Sequence, residues 1–409
     1  MKTSLGKRSI SPSIISRSSP LHWILEFPSI IKKRGFDIII TNPPYASQLD
    51  PHVLKLLNKK FPTIRGNNNS AVFFLLKAEL LANNGYIGMI IPKSFGFASN
   101  WLSIRNHFLD KIYLMIDTKE AFPGVKLEQI VVGFSPIPVP FYETFSLDQP
   151  VSRTKVEKSN LKYPGNRLNS LILFANPQTL KLMLKIRQKS EITLGDVTIT
   201  KMGLNLQKFQ VSRRTKYPTL SGKHIGRFKI RKIEHYLPTK LVEANKQKYR
   251  WFLSRKIIAQ KIIAHVTKPQ PHIIMMATLD TEGLITQNTV ENTKIIDNRV
   301  SDDFVLCLIN SRLMNWYAYH FIFSDAIRSM AYTQNSLSFM PLPNPRKWHQ
   351  LNAQLKDYPQ RINRLIKTSA KKFEIIQLER EMNDIIYTAY DLTSEEINLI
   401  NAEFEKTEV

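Results

Sequence analysis

The sequence has a single cysteine and no long apolar segment. Cys307, the one cysteine among 409 residues, excludes a disulfide framework and a zinc site built from cysteines. Because it lies in the apolar run 304–309, we expect a buried structural thiol rather than a nucleophile, in a reducing compartment such as the cytoplasm. Apolar runs such as 72–76 and 87–91 are far shorter than the roughly 18 residues that cross a bilayer, so no membrane partner is expected.

Acidic residues are also scarce. Asp and Glu total 33 against 58 Lys and Arg, a formal net charge of +25, while 43% hydrophobic residues indicate a folded chain. Between 201 and 268, 18 basic residues stand against only two acids, Glu234 and Glu243, with aromatic residues interleaved. A solvated lysine-rich face would normally contain more acids. This stretch therefore favours a surface that binds a polyanion, above all nucleic acid, because each neutralised phosphate releases counterions.

Proline and polar clusters divide the chain into segments. We expect a disordered stub at 1–20, an α/β domain at 21–145, a connector with one helix at 146–190, a second domain at 191–345 and a helical tail at 346–409. The stub has seven serines, four basic residues and no acid, a composition shared by organellar transit peptides.

Apolar strands alternate with helical stretches in the first domain. Strands are expected at 36–41, 85–91, 111–116 and 127–134, and helices at 71–82 and 101–108. This alternation predicts an α/β sheet with parallel strands, followed by a polar connector at 147–166. Further along, we expect a helix at 176–189, short strands at 197–200, 256–264 and 273–278, one helix at 302–323, and tail helices at 351–368 and 371–390.

The tetrapeptide Asn42-Pro43-Pro44-Tyr45 directly follows the first of these strands. Ligands of open α/β sheets bind outside the carboxyl ends of the strands, so this loop lies where an active site is expected. Two prolines fix two φ angles and remove two N–H donors, which leaves the Asn42 amide and the proline carbonyls as acceptors. Such acceptors suit a planar base with an exocyclic amino group, on which Tyr45 can stack. Without further context, the same four residues would be read as a turn.

Residues 35–45 resemble the catalytic segment of adenine-specific (N6) DNA methyltransferases. The nearest group is the type IIG restriction–modification family, whose members carry a TaqI-like C-terminal specificity domain. Further segments match in order, at 22–28, 73–92, 120–134, 220–228, 308–311, 341–343 and 382–397, so that the resemblance covers roughly 21–400. It implies the C-terminal part of a Rossmann-like methyltransferase sheet dependent on S-adenosylmethionine. An α+β target-recognition domain and a helical tail would follow.

The resemblance also implies roles for individual residues. Asn42 and the Pro43 carbonyl would accept the two amino hydrogens of a flipped adenine, with Tyr45 stacked on one face of the base. Phe122 would close the other face, and Phe73 would lie against the adenine of the cofactor; a core position is the alternative for both. No metal is expected, since positioning and polarisation do most of the work in such a methyl transfer. Contacts to double-stranded DNA are expected from the basic stretch, at Arg213, Arg214, Lys223, Arg227, Lys229, Arg231 and Lys232.

Two features of the family are missing from the sequence. The family's cofactor site needs a Gly-rich loop and an acidic residue upstream of the catalytic loop, yet none of the 41 residues before Asn42 has that pattern. A nuclease domain is missing as well. We therefore expect a fragment, a decayed relative, or one half of a split enzyme whose separate partner chain supplies the cofactor-binding half or a nuclease. Such a chain would expose a sheet edge, bind DNA, and transfer methyl groups weakly or not at all alone.

Three functions fit these observations. The first is a site-specific adenine DNA methyltransferase, active once it is completed. The second is a non-catalytic, sequence-specific DNA-binding subunit, for which the Asn42 loop would be dispensable. The third is methylation of RNA or protein, and the basic stretch argues against a protein substrate.

Overall fold

The computed structural model describes residues 21–33, 35–44, 49–62, 64, 68–119, 127–163, 166, 169–173, 176–328, 330–368 and 372–404. The expected stub at 1–20 lies outside these ranges. The first part of the chain contains α1 (Trp23–Glu26), α2 (Pro28–Lys32), β1 (Ile38–Thr41), α3 (Pro51–Lys60), α4 (Ser70–Ala82), β2 (Tyr86–Pro92), α5 (Leu102–Phe108), β3 (Ile112–Asp117), β4 (Gln129–Phe134), β5 (Phe141–Ser146) and β6 (Gln149–Glu157).

These strands form one mixed sheet in the order β1-β2-β4-β3-β5-β6. β1 is parallel to β2 and β3 is parallel to β5, but β4 lies antiparallel between β2 and β3. The prediction of parallel strands is therefore wrong for β4. The connection 118–128 is shorter than the dozen or more residues that a parallel crossover needs, so β4 returns beside β3. The expected connector at 147–166 contains β6, which pairs antiparallel with β5.

Helix α4 covers one face of this sheet. Asn69 caps the helix, because its side chain accepts a 3.0 Å hydrogen bond from the N–H of Ala71. Val72 of the helix belongs to the same core cluster as Ile87 and Met89, the residues of β2 that face inward. The predicted helix at 71–82 is thus confirmed, and its apolar side determines which face of the sheet is buried.

Within the described ranges, the opposite face of the sheet is exposed beside β1. Ile38 and Ile40 are 63% and 83% exposed, and Tyr86, which pairs with Ile38, is 49% exposed. Next to them Gly88 pairs with Gly133, and the ring of Tyr113 lies over Gly133. Among the described residues β1 pairs with β2 alone, which leaves its outer edge open. The prediction of a buried strand at 36–41 is therefore wrong: β1 is an exposed, apolar edge strand.

Helix α6 (Pro177–Gln188) leads to the second block and confirms the helix predicted at 176–189. The block contains α7 (Leu194–Val197), β7 (Thr198–Met202), β8 (Tyr217–Leu220), β9 (Ile225–Gly226), β10 (Lys229–Ile230), β11 (His235–Leu237), α8 (Thr239–Ala244), α9 (Lys246–Tyr249), β12 (Lys256–Gln260), β13 (Ala264–Val266), β14 (His272–Ile274), β15 (Ala277–Asp280), β16 (Ile285–Thr286) and β17 (Val290–Ile295). A four-stranded antiparallel sheet, β15-β12-β17-β7, forms its centre, beside a three-stranded sheet, β11-β8-β16. The strands predicted at 256–264 and 273–278 are each divided into two.

The helix predicted at 302–323 is divided at Ser311. It consists of α10 (Asp302–Asn310), α11 (Arg312–Tyr317) and a π-helical turn (Ala318–Ile322). Ser311 is extended, with φ −70° and ψ 152°, and its side chain caps α11 by accepting from the N–H of Met314 at 3.1 Å. The Cys307 thiol on α10 is buried, as expected from its apolar neighbours.

The tail is helical, as predicted. After α12 (Gln334–Leu337), which belongs to the second block, the tail contains α13 (Trp348–Gln354), α14 (Tyr358–Lys367), α15 (Lys372–Ala389) and α16 (Ser394–Asn401), so the helix predicted at 351–368 is divided into two. One continuous core cluster includes residues of the first sheet, of α10 and α11, and of the tail, from Ile64 to Phe404. The blocks are therefore packed together rather than joined by a linker. Across the part of the chain that is described, every helix is too short or too polar to cross a membrane.

A buried ion pair lies at the centre of the second block. Lys256, whose side chain is fully buried, pairs with the equally buried Asp280 and donates to the carbonyl oxygen of Phe252 at 2.6 Å. The Asp280 carboxylate accepts the N–H groups of Gly283 at 3.0 Å and Leu284 at 2.8 Å. Burial lowers the pKa of Lys256, and Asp280 opposes this effect. Each charge therefore has the partners that burial requires.

We expect Lys256→Met to lower the free energy of unfolding by about 3–5 kcal/mol, because it leaves the Asp280 carboxylate buried without its cation. Urea unfolding followed by circular dichroism measures this change. Arg299→Met is the matched control, since Arg299 pairs with Asp297 at 2.6 Å on the surface, and its unfolding midpoint should stay near the wild-type value. Equal effects of the two substitutions would contradict the assignment.

His320, in the π-helical turn, lies between two carboxylates. Its Nδ1 is 2.6 Å from Asp325 and its Nε2 is 2.9 Å from Glu403, near the end of the tail. The same Glu403 oxygen accepts the indole N–H of Trp316 at 3.1 Å. Burial by itself would lower the pKa of His320, but the two carboxylates raise it to about 10. The charged imidazole therefore joins the tail to the second block.

This ion cluster predicts a pH dependence of stability. Since the folded-state pKa of about 10 exceeds the ordinary value of 6.5, the contribution of His320 is complete below pH 6.5 and is lost as the pH rises towards 10. The free energy of unfolding, measured with urea across this range, should fall less steeply for His320→Gln than for the wild type. The exposed His349 supplies the control, and His349→Gln should follow the wild-type curve. Parallel curves for wild type and His320→Gln would contradict this assignment.

Candidate active site and basic surface

Strands β1, β2 and β3 point the same way and end at one edge of the sheet. Thr41, the last residue of β1, pairs with Met89 in the middle of β2. β1 therefore ends three residues before β2, which continues to Pro92, and Asn42 follows on that carboxyl side of the sheet. Asn42 is exposed and the next residue, Pro43, is buried. The burial of Pro43 fixes the start of the loop, while the amide of Asn42 stays accessible at the edge where ligands of such sheets bind.

The loop is also held by a hydrogen bond from helix α4. Ser70, in the first turn of α4, donates a hydrogen bond from its hydroxyl to the carbonyl oxygen of Pro44. Neither proline has an N–H, so Pro43 and Pro44 present acceptors only. The predicted stacking residues Tyr45 and Phe122 lie outside the described residues, so the geometry of the loop is known as far as Pro44.

Phe73 lies on α4, where it is 7% exposed and belongs to the same core cluster as Val72 and Leu75. Its contact with the cofactor stays a prediction beside the alternative of a core position. In the described ranges the sheet ends at β1, and no further strand with a Gly-rich loop lies on the outer side of that strand. The incompleteness of the S-adenosylmethionine site likewise stays a prediction.

Most of the basic residues singled out in the sequence lie on the surface. Those that are exposed are Arg213, Arg214, Lys223, Arg231 and Lys232. Lys223 is 3.2 Å from Glu234, and the guanidinium of Arg231 donates to the carbonyl oxygen of Lys223 at 3.0 Å. Because exposed ion pairs are weak, these contacts leave the positive charge available to a polyanion.

Two of the seven basic residues, Arg227 and Lys229, make contacts within the fold. The guanidinium of Arg227 contacts Glu379 of α15 at 3.1 Å and donates to the carbonyl oxygen of Asn310 at 3.1 Å. Lys229 is half-buried, and its Cγ lies 3.1 Å from where a Cβ on Gly226 would stand. Arg227 thus attaches the second block to the tail, a contact that the sequence pattern did not predict.

A further basic cluster surrounds Trp251. The ammonium groups of Lys201 and Lys294 lie 5.1 and 4.5 Å from the centre of its ring. Burial lowers the pKa of Lys294, and the neighbouring Lys201 lowers it further. Lys294 stands outside the basic stretch of the sequence, and only the pairing of β7 with β17 brings the two lysines together. Sequence reasoning therefore missed this cluster.

Lys93, directly after β2, is the centre of a buried polar network. Its ammonium group is 2.8 Å from Asp117 at the end of β3 and 3.6 Å from Glu128 before β4, and donates to the carbonyl oxygen of Asp325 at 3.1 Å. Burial alone would raise the pKa of Asp117, but Lys93 and Lys119 lower it. The sequence places these side chains at strand ends, but only the strand order shows that they meet.

The comparisons with known proteins give separate matches for the first and the second block of the chain. Residues 4–122 match the Eco57I restriction-modification methylase family, and residues 217–342 match the TaqI-like C-terminal specificity domain. A protein of Methanocaldococcus jannaschii named as a type II restriction enzyme and methyltransferase is 25% identical over 93% of this chain and 33% of its own length. The type II methyltransferase M.VspI of a Vibrio species is 29% identical over 23% of each chain.

A solved structure has the same fold. The type IIL restriction-modification enzyme MmeI, determined in complex with DNA, superimposes with a TM-score of 0.57 at 12% identity, over 94% of this chain and 58% of its own. The chain spans about a third of the length of the M. jannaschii relative. The expected fold, the C-terminal part of a methyltransferase sheet followed by a target-recognition domain and helices, is confirmed. Residues 4–122 are thus similar to the Eco57I restriction-modification methylase family, and residues 217–342 are similar to the TaqI-like C-terminal specificity domain.

Proposed function

We propose that this chain is the base-binding and target-recognition part of a site-specific adenine DNA methyltransferase of a restriction–modification system. The observation that carries the proposal is the loop at the end of β1. Its exposed Asn42 and buried Pro43 lie at the carboxyl edge of a sheet whose sequence matches the methylase family. A DNA substrate implies that the protein acts in the cytoplasm.

The chemistry follows from the acceptors in this loop. Asn42, through its side-chain oxygen, and Pro43, through its carbonyl, accept the two hydrogens of the adenine amino group. Both bonds would draw the nitrogen towards a tetrahedral geometry and free its lone pair. As the new N–C bond formed, the bond between the methyl group and the sulfonium sulfur of the donor would break, and the nitrogen would then lose one of its protons to solvent. The base must first leave the duplex, and Tyr45 and Phe122 would stack on its two faces. S-adenosylmethionine is the methyl donor that the family implies.

The second block would hold the duplex. Its exposed cations, with Arg213, Arg214 and Lys232 foremost, neutralise phosphates and so position the DNA without reading its sequence. The Trp251 cluster adds a second basic surface on the central sheet of the block. The solved MmeI structure contains DNA, which supports a duplex as the partner of this fold.

A separate chain that carries the cofactor-binding half would complete the site. The bare sheet face beside Ile38 and Ile40, together with the open edge of β1, is the surface we assign to it. An apolar strand edge favours a partner that adds a strand beside β1 and lays apolar helices across the exposed face.

A non-catalytic DNA-binding subunit is the second candidate. The observation that favours it is that, in the described ranges, no strand with a Gly-rich loop lies on the outer side of β1. In that case DNA binding would be the whole function, and no substitution in the Asn42 loop would have a phenotype beyond binding.

Asn42→Ala should separate these candidates in the source organism, where any partner chain is present. We expect methylated adenine at the target sites, mapped by sequencing of native genomic DNA, to fall about 100-fold or more, because an acceptor at the reacting nitrogen is lost. Duplex binding by the purified variant should stay close to that of the wild type. The exposed Asn100 supplies the control, and Asn100→Ala should retain methylation. Unchanged methylation in Asn42→Ala would overturn the catalytic proposal.

Ile40→Lys tests the partner surface. Ile40 is 83% exposed, so the variant should fold and bind DNA normally, yet lose both genomic adenine methylation and co-purification with a chain that has a Gly-rich cofactor loop. Phe373→Lys is the matched control, because Phe373 is 67% exposed on the tail, away from the sheet. Methylation in the Ile40→Lys strain equal to that of the control would contradict docking on this face.

A further inference from the structure

The second block reaches the active-site edge of the sheet through the turn 324–328. Ser324 and Asp325 have φ values of +53° and +55°, in the left-handed region that residues other than glycine seldom adopt. Two such residues in succession persist only where their surroundings hold them. The turn is therefore a fixed feature rather than a plain surface loop.

The groups that hold this turn come from the other block. The ammonium group of Lys93 donates to the carbonyl oxygen of Asp325 at 3.1 Å. One carboxylate oxygen of Glu128 accepts the N–H groups of Ile327 at 2.8 Å and Arg328 at 3.2 Å. The bond from Lys93 is buried, since its side chain is 2% exposed, whereas the two bonds to Glu128 lie at the surface. The methylase sheet thus fixes the backbone of the turn.

The two residues anchored through their N–H groups have accessible side chains. Ile327 is 37% exposed and Arg328 is exposed. Asn42 follows β1 and Glu128 precedes β4, with only β2 between those strands. Neighbouring strands are about 4.8 Å apart, and each residue of a strand adds about 3.3 Å. Because Thr41 pairs with Met89 whereas Gln129 pairs with Pro92, the backbone at Glu128 stands roughly 14 Å from that at Asn42. That spacing is similar to the width of a major groove, about 12 Å.

We propose that Ile327 and Arg328 contact the duplex beside the extruded base. Arg328 binds a backbone phosphate, and Ile327 packs against the base pair that loses its stacking neighbour, as apolar wedges do in other DNA-bending proteins. Lys93 and Glu128 are positioning residues, which act through the backbone of the turn. This inference rests on the proposed function, since it takes DNA as the ligand and Asn42 as the base-binding residue.

Binding of a labelled duplex, selected from a randomised library by the wild-type chain, tests the inference at several salt concentrations. Arg328→Ala should lower the affinity about 5- to 10-fold near 0.1 M salt and reduce the slope of log K against log[salt] by about 0.9, the value for one phosphate. Ile327→Ala should weaken binding without changing the slope, because it removes an uncharged contact. Arg346→Ala, at another exposed arginine, should change neither quantity.

Glu128→Ala is the most discriminating variant, because its change in net charge and its loss of the anchor should have opposite effects on DNA affinity. Loss of a carboxylate raises the net charge by one and by itself favours DNA binding, whereas loss of the anchor should weaken binding as Arg328→Ala does. Glu79→Ala is the matched control: Glu79 pairs with His107 and Lys111, each at 2.7 Å, within the first block. It should bind DNA as tightly as the wild type or more tightly. Circular dichroism and the unfolding midpoint check that both variants are folded.

Weaker binding in Glu128→Ala and Arg328→Ala, with Glu79→Ala unaffected, is the expected result. A Glu128→Ala variant that is folded and binds DNA as tightly as Glu79→Ala, or an unchanged salt slope in Arg328→Ala, would overturn the inference while leaving the proposed function intact. A wild-type chain that binds no DNA would overturn the proposed function, and with it this inference.

Discussion

The pairing of β1 with β2 is the contact on which the rest of the site depends. Only four residue pairs join these strands, yet they place Asn42 on the side of the sheet towards which β2 and β3 also run. Parallel strands that end together bring loops from distant parts of the sequence to one place. Because β1 has one partner among the described residues, the same pairing leaves Ile38 and Ile40 at an open apolar edge. The base-binding loop and the incomplete side of the sheet are therefore adjacent.

Buried cations hold the blocks of this basic protein in register. Lys93 joins three strand ends to the turn at Asp325, and His320 joins that turn to the tail through Glu403. Each cation is surrounded by carboxylates or carbonyl oxygens, as burial of charge requires. The charges of these buried cations are already balanced by their partners, unlike those of the surface cations near Arg213. The positive charge of the chain thus divides into a part that organises the fold and a part that remains for a polyanion.

The sequence was informative where local pattern determines structure. The helices at 71–82 and 176–189, the buried thiol and the placement of the Asn42 loop after a strand all followed from residues close together in the chain. Strand direction and burial did not, because β4 turns back beside β3 and β1 lies at an edge, and both depend on which strands become neighbours. The network around Lys93 and the lysine pair at Trp251 were invisible for the same reason. The roles of Tyr45, Phe122 and the surface arginines remain predictions.

We propose that these residues form the base-binding side of the site but not its cofactor side. Calorimetric titration of S-adenosylmethionine into the purified chain is the most direct test of this proposal. Duplex DNA, titrated in the same buffer, shows whether the protein is competent to bind its other ligand. We expect the chain to bind the duplex and to show no measurable binding of S-adenosylmethionine, with or without DNA. Binding of S-adenosylmethionine by the chain alone in the micromolar range would contradict the proposal.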